Sequence, residues 1–222
     1  MMNTIIWDMG GTLVDTYPEV DRALADAVWG TAAAPEDADR HEHLQEVAVL
    51  RSRSINHAIE VLSARHGVPR ERLDEAYSAL KLRWESHPAP LMAGATQVMA
   101  AVHAAGGLNL VATHRDRTSA QALLDGLGLH PDDLVCAPDG YPRKPDPAMY
   151  LLLMARHDLV ADQMLCVGDR PIDVQAAAAA GLAGALLRPS GEQQPAAAGA
   201  AGQLPAGCFE IGALTDLLNR IG

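Results

Sequence analysis

TIIWDMGGTLVD, residues 4–15, carries the reading from which the rest follows. Its first half is short, apolar and β-branched, and it stops at Gly10-Gly11, as a strand buried on both faces of a parallel sheet does. Asp8 is then a carboxylate at the carboxyl end of a central strand, followed by a glycine-rich turn that continues through Thr12 to Asp15. A charge at that place is costly to bury and marks a candidate site.

Outward from this strand the pattern changes. From Pro18 to His87 the periodicity is helical, in the segments EVDRALADAVW, EHLQEVAVLRS, SINHAIEVLSARHG and PRERLDEAYSALKLRWES. After the hinge HPAPLMAG the texture alternates between the two periods. It predicts helix 95–105, strand 108–113, helix 117–126, strand 133–137, helix 147–157, strand 163–169, helix 172–180 and strand 182–188. Such alternation is the mark of βαβ units on a parallel sheet. Residues 189–207, rich in Ala, Gly, Pro and Gln, read as a surface loop with one ragged helical turn at most, and 208–222 as an edge strand and a closing helix. The expected fold is α/β: a Rossmann-like parallel sheet with helices on both faces, formed by residues 1–16 and 90–222. An all-helical cap, 17–89, is inserted after the first strand and is expected over the carboxyl edge, where open α/β sheets bind ligands.

Composition narrows the partners. In 222 residues, 17 Lys and Arg stand against 28 Asp and Glu, a net charge of −11. Nucleic acid and anionic membrane surfaces are therefore disfavoured, since both need clustered positive charge. The start of the chain lacks the basic and long apolar regions of a secretory signal, and no run of about 18 apolar residues occurs. The expectation is a cytoplasmic protein, a monomer or weak dimer. Hydrophobic residues make up 49% but aromatics only 4%, so the core rests on Ala, Leu and Val. Cys136, Cys166 and Cys208 form no Cys-x-x-Cys pair and read as small buried hydrophobes.

Four strand ends carry polar groups that would converge at the carboxyl edge. They are Asp8 with its turn; Thr113 followed by His114 and Arg115; Lys144, one of two lysines, in YPRKPDP; and Gly168-Asp169-Arg170-Pro171-Ile172-Asp173. Carboxylates, a lysine, a hydroxyl and a glycine-rich turn suit a hard divalent cation and a phosphoryl group. In the helical block, Arg51, Arg53, Asn56 and His57 read as a solvated helix face, with contact to substrate as the alternative. His41 and His43, two residues apart, point to different faces of a helix and make no metal pair.

The order Asp-x-x-Gly-Thr-Leu-x-Asp, a strand ending in Thr, Lys-Pro, and Gly-Asp-x-x-x-Asp, with a helical insert after the first motif, resembles the haloacid dehalogenase superfamily. It is most similar to the branch of phosphoglycolate phosphatase and β-phosphoglucomutase, over essentially the whole chain. The resemblance implies a Mg²⁺-dependent phosphatase acting on a small phosphorylated metabolite. Asp8 would be the nucleophile that forms an aspartyl-phosphate. Gly11, Thr12, Thr113, His114, Arg115 and Lys144 would contact the substrate, and Thr113 and Lys144 would steady the transferring group. Asp8, the Gly10 carbonyl, Asp169 and Asp173 would hold Mg²⁺.

One position departs from the family. Two residues after the nucleophile its phosphatases carry a second aspartate, the general acid/base; here it is Gly10. Positioned proton transfer contributes about 10²–10⁴ in rate, so alkyl phosphates with poor leaving groups should suffer. Two compensations are open: a leaving group that needs no proton, or His114 as the substitute acid. The alternatives are a catalytically impaired protein that binds phosphorylated metabolites, and a dehalogenase-type hydrolase. Against the latter stands the retained metal carboxylate; against the former, the retention of both Asp8 and Lys144. Arg170 reads as a salt-bridge partner.

Overall fold

The computed structural model describes residues 2–30, 38–189 and 203–222, and these form two compact units. The α/β unit comprises residues 2–15, 88–189 and 203–222; the helical unit comprises 16–30 and 38–87.

In the α/β unit six strands lie in the order β3-β2-β1-β4-β5-β6, every pairing parallel. They are β1 (Thr4–Trp7), β2 (Asn109–Thr113), β3 (Asp133–Cys136), β4 (Met164–Gly168), β5 (Ala183–Leu187) and β6 (Cys208–Ile211). β1 is central and buried throughout, as its unbroken apolar run requires. Its neighbours are β2 and β4, so strand order reverses beside it, and the carboxyl ends of β1 and β4 open side by side. Ligands of open α/β sheets bind at such a switch point. The crossovers are α5 (Ala95–Ala104), α6 (Arg117–Gly126), α7 (Ala148–Arg156) and α8 (Pro171–Ala179). Alternate residues of the strands, Ile6, Leu110, Ala112, Val135, Met164 and Cys166, pack against Met149, Tyr150 and Leu153 of α7 and Ala176 and Ala177 of α8. The strand period of two thus sends one set of side chains to this layer.

A buried polar pair lies within the sheet: the Trp7 indole donates to Asn109 Oδ1 at 3.0 Å, and Asn109 Nδ2 donates to the Met99 carbonyl at 3.0 Å. Gly107 is demanded by crowding, because a Cβ there would lie 1.5 Å from the Asn3 carbonyl oxygen. The expected closing helix is a 3₁₀ helix, Leu214–Arg220. Of the loop expected over 189–207, residues 190–202 lie outside the described residues. Cys136 and Cys166 are buried and Cys208 is half-buried. Among the described residues no helix is long and apolar enough to cross a membrane.

The helical unit contains α1 (Tyr17–Trp29), α2 (Ala38–Arg51), α3 (Ile55–His66) and α4 (Arg70–Arg83), with α1 packed against the other three. Proline opens α1, Ser54 caps α3 by accepting from the His57 amide at 3.0 Å, and Gly67 ends α3 at φ 65°. His43 stacks on Trp29 with ring centroids 4.0 Å apart, which gives it a packing role. Arg51 corrects the expectation of a solvated face. It is 6% exposed, grips Asp21 through two bonds of 2.6 and 2.9 Å, and lies over the Tyr17 ring at 3.8 Å. Arg53 and Asn56 are exposed and His57 is half-buried.

A buried ion pair is strongly coupled, since removing one partner strands the other charge. Arg51→Leu is expected to lower the unfolding free energy by about 3–5 kcal/mol, measured by urea denaturation. Adding Asp21→Leu should recover most of that loss; strictly additive losses would show that the two side chains do not act on each other.

Candidate active site

Asp8 follows β1 directly, 3% exposed, and its amide donates to the Val167 carbonyl at 2.8 Å, which ties it to the end of β4. The chain then turns sharply: the Leu13 and Val14 amides converge on the Met9 carbonyl at 3.0 and 2.9 Å, and Gly11 sits at φ 86°, where a side chain is strained. This turn delivers Thr12 to the neighbouring strand end, where its hydroxyl donates to Asp169 Oδ1 at 3.1 Å.

At the end of β4, Gly168 has no room for a side chain, since a Cβ would come within 2.3 Å of Asp173 Cβ. That close approach lets Asp173, in the first turn of α8, fold back toward the strand end. Its Oδ2 accepts from the Arg170 amide at 3.0 Å, and the helix N-terminus favours its negative charge. Lys144 joins the parts. Its fully buried ammonium lies 2.5 Å from Asp8 Oδ1 and 2.6 Å from Asp173 Oδ1, and donates to the Ala112 carbonyl at 3.1 Å. Three segments far apart in sequence are held by one charge.

The electrostatics follow from burial and pairing. Burial raises the Asp8 carboxyl above the ordinary carboxylate range, and the Lys144 charge only partly offsets this. For Asp173 burial acts in the same sense, but the charges of Lys144 and Arg170 outweigh it and hold the group below its ordinary value. Lys144 is raised: burial alone would lower it, and Asp173 and Asp8 more than compensate. The lysine therefore stays charged.

Asp8, Asp169 and Asp173 each offer a carboxylate oxygen, and these atoms lie within 4.8 Å of one another, the one such acidic group among the described residues. Three buried carboxylates, two of them against one ammonium, leave negative charge to be neutralised, and hard oxygen donors suit a hard divalent cation. The residues present therefore fit such an ion. Gly10 lies on the turn just after Asp8, half-buried between buried neighbours.

Thr113 ends β2, and its hydroxyl accepts from the Arg115 amide at 3.2 Å. Arg115 donates to Ser119 Oγ at 2.9 Å, along the start of its own helix. His114 does not suit the acid role open to it on sequence. Its Nε2 accepts the Lys144 amide at 2.8 Å, so the neutral ring carries its proton on Nδ1. Burial, with the charges of Lys144, Arg170 and Arg143, pushes the imidazole down to about 3. A ring so held is neutral at ordinary pH and fastens the Lys144 loop to the end of β2. Tyr150, which sequence reasoning missed, is buried with Lys144 Nζ 6.0 Å from its ring centroid. Nothing separates it in sequence from an apolar residue of an amphipathic helix.

The sequence model of the haloacid dehalogenase-like hydrolases matches residues 2–181. A phosphoglycolate phosphatase of Rhodospirillum rubrum is 34% identical over 213 residues, covering 89% of this chain and 84% of that protein. Among solved structures, a hydrolase from Streptococcus pneumoniae superposes with a TM-score of 0.61 at 26% identity, over 82% of this chain and 91% of that one. A proposed β-phosphoglucomutase from Thermotoga maritima shares the fold with a TM-score of 0.68 at 22% identity, over 100% of both chains. The parallel sheet and the extent of these matches agree: this chain belongs to the haloacid dehalogenase-like hydrolases, with a phosphoglycolate phosphatase among its relatives.

Proposed function

We propose that the chain is a Mg²⁺-dependent phosphatase that removes the phosphoryl group from a small phosphorylated metabolite through an aspartyl-phosphate on Asp8. The observation that carries this reading is the buried contact of Lys144 with both Asp8 and Asp173, beside Asp169. A buried ammonium against a buried carboxylate is an arrangement for bringing an anionic nucleophile to an anionic phosphoryl group, which would otherwise repel it.

Lys144 occupies Asp8 Oδ1, so attack falls to the other carboxylate oxygen. That oxygen bonds to phosphorus as the bond to the leaving oxygen breaks, and Lys144 neutralises part of the charge gathered there. The Thr113 hydroxyl, at the end of β2, offers its proton to a phosphoryl oxygen. Water then bonds to phosphorus and gives up a proton to solvent, as the bond to Asp8 breaks and Asp8 departs as a carboxylate. The carboxylates of Asp8, Asp169 and Asp173, with the Gly10 carbonyl, would hold Mg²⁺, which supplies Lewis-acid stabilisation of the transferring charge when bound. With glycine at position 10 and His114 committed to the Lys144 amide, leaving groups that depart without a proton are favoured over simple alkyl esters.

With p-nitrophenyl phosphate and Mg²⁺, Asp8→Asn is expected to lose at least about 10⁴-fold in kcat, and Lys144→Met about 10²–10³-fold. Chelation with EDTA should abolish turnover and added Mg²⁺ restore it. Phosphoglycolate, the substrate named for the Rhodospirillum rubrum relative, should turn over more slowly than the aryl ester. Turnover that survives Asp8→Asn would sink the covalent route.

His114 gives a second test. Its folded value of about 3 lies below the ordinary value of 6.5, so between these pH values the unfolded chain takes up a proton that the folded chain does not. This contribution to stability is complete above about pH 6.5 and is lost as pH falls toward 3. Denaturation midpoints across that range should fall more steeply for the native protein than for His114→Asn. Parallel curves would contradict the burial and charge environment described for the ring.

A further inference from the structure

We propose that Asp8 keeps its phosphoryl group long after the first product has left, so that hydrolysis of the aspartyl-phosphate limits turnover, with acyl phosphates as the class that loads it fastest. This inference rests on the phosphatase reading and goes beyond it by separating the two halves of the reaction.

The halves differ in their need for a proton carrier. In the first, an Asp8 oxygen bonds to phosphorus, the bond from phosphorus to the acyl oxygen breaks, and a carboxylate departs with the electron pair. No proton moves. In the second, water bonds to phosphorus, the bond to Asp8 breaks, Asp8 leaves as a carboxylate, and one proton of the water must be given up. A placed base speeds such a step by about 10²–10⁴-fold.

Within the described α/β unit the polar side chains that meet at the ends of β1, β2 and β4 each hold a partner or would hold the metal. Lys144 bridges Asp8 and Asp173 and has no lone pair to offer. Asp173 accepts the Arg170 amide and faces Lys144; Asp169 accepts the Thr12 hydroxyl. His114 Nε2 holds the Lys144 amide, and the Thr113 hydroxyl accepts from Arg115. The remaining position is Gly10, the half-buried residue in a turn whose neighbours on both sides are buried, and it carries no side chain. Its backbone does not require glycine: Gly11 lies in the left-handed region and Gly10 does not. Among the described residues of the α/β unit named here, then, a donor that needs no proton finds what it requires, and none stands as a base to speed release of the phosphoryl group to water.

The test mixes the Mg²⁺-loaded protein with acetyl phosphate and follows intact mass and acetate release on the same samples. The expected result is a burst of acetate approaching one per chain, and a mass increase of one phosphoryl group that is absent from Asp8→Asn. Decay of that adduct should set the steady rate. Gly10→Asp should shorten the adduct's life by about 10²–10⁴-fold. Independently of whether that variant folds, added imidazole should speed decay of the native adduct in proportion to its concentration. Linear acetate release with no adduct overturns the accumulation while leaving the phosphatase reading standing. Adduct decay indifferent to both imidazole and Gly10→Asp overturns the missing-base account. Absence of adduct together with absence of turnover on acetyl phosphate, p-nitrophenyl phosphate and phosphoglycolate overturns the phosphatase reading itself.

Discussion

Lys144 holds its charge out of water between two carboxylates, and the α/β unit is arranged around that fact. Its ammonium meets Asp8 from the end of β1, Asp173 from the first turn of α8, and the Ala112 carbonyl from β2. Taking ions out of water costs several kcal/mol each, and their attraction repays it only with good geometry and further hydrogen bonds. Here the bonds are supplied: the Arg170 amide to Asp173, and the Val167 carbonyl accepting the Asp8 amide so that this carboxylate is held in place. Such a cluster is a poor way to gain stability. It is a good way to hold a nucleophile still while keeping like charges from driving each other out.

The sheet supplies the convergence. Because β1 lies between β2 and β4, the residues after these three strands reach one edge, and the loop after β3 brings Lys144 there, 136 positions from Asp8. Small residues then permit what the strands bring near. Gly168 leaves room for Asp173 to fold against the strand end, and Gly11 lets the first turn close tightly enough to place Thr12 on Asp169. A methyl group at Gly168 would push away the partner that Lys144 needs. Backbone permissiveness and charge pairing are here parts of one arrangement.

Most of this framework was legible in the sequence, for a physical reason. Unbroken apolar runs such as TIIW and MLCV can only be strands buried on both faces, and their alternation with helical periods admits few topologies. Polar residues at the ends of such strands must then meet, which is how Asp8, Thr113, Lys144, Asp169 and Asp173 could be chosen. What escaped was pairing set by three-dimensional approach. Arg51 sits on a helix that looks amphipathic and solvated, yet Asp21, 30 positions earlier, draws it inside. Tyr150 has the spacing of a core residue and gives no sign of the lysine beside it. His114 was open as an acid because its neighbours in sequence say nothing of the Lys144 amide, 30 positions on, that takes its lone pair.

The response of His114 also bears on how an acidic chain handles an anion. A net charge of −11 repels phosphate at a distance, but that repulsion is screened within about a Debye length, roughly 8–10 Å at ordinary salt. Close to the site the balance differs. Burial pushes the His114 ring down, and the positive charges of Lys144, Arg170 and Arg143 push it the same way against the pull of Asp173. The carboxylates of Asp8, Asp169 and Asp173 crowd together, and the Lys144 ammonium lies against two of them. Groups suited to the oxygens of a phosphoryl group and groups suited to a divalent cation thus interleave within a few ångströms. The surface charge of the protein sets only the distance from which either must be drawn in.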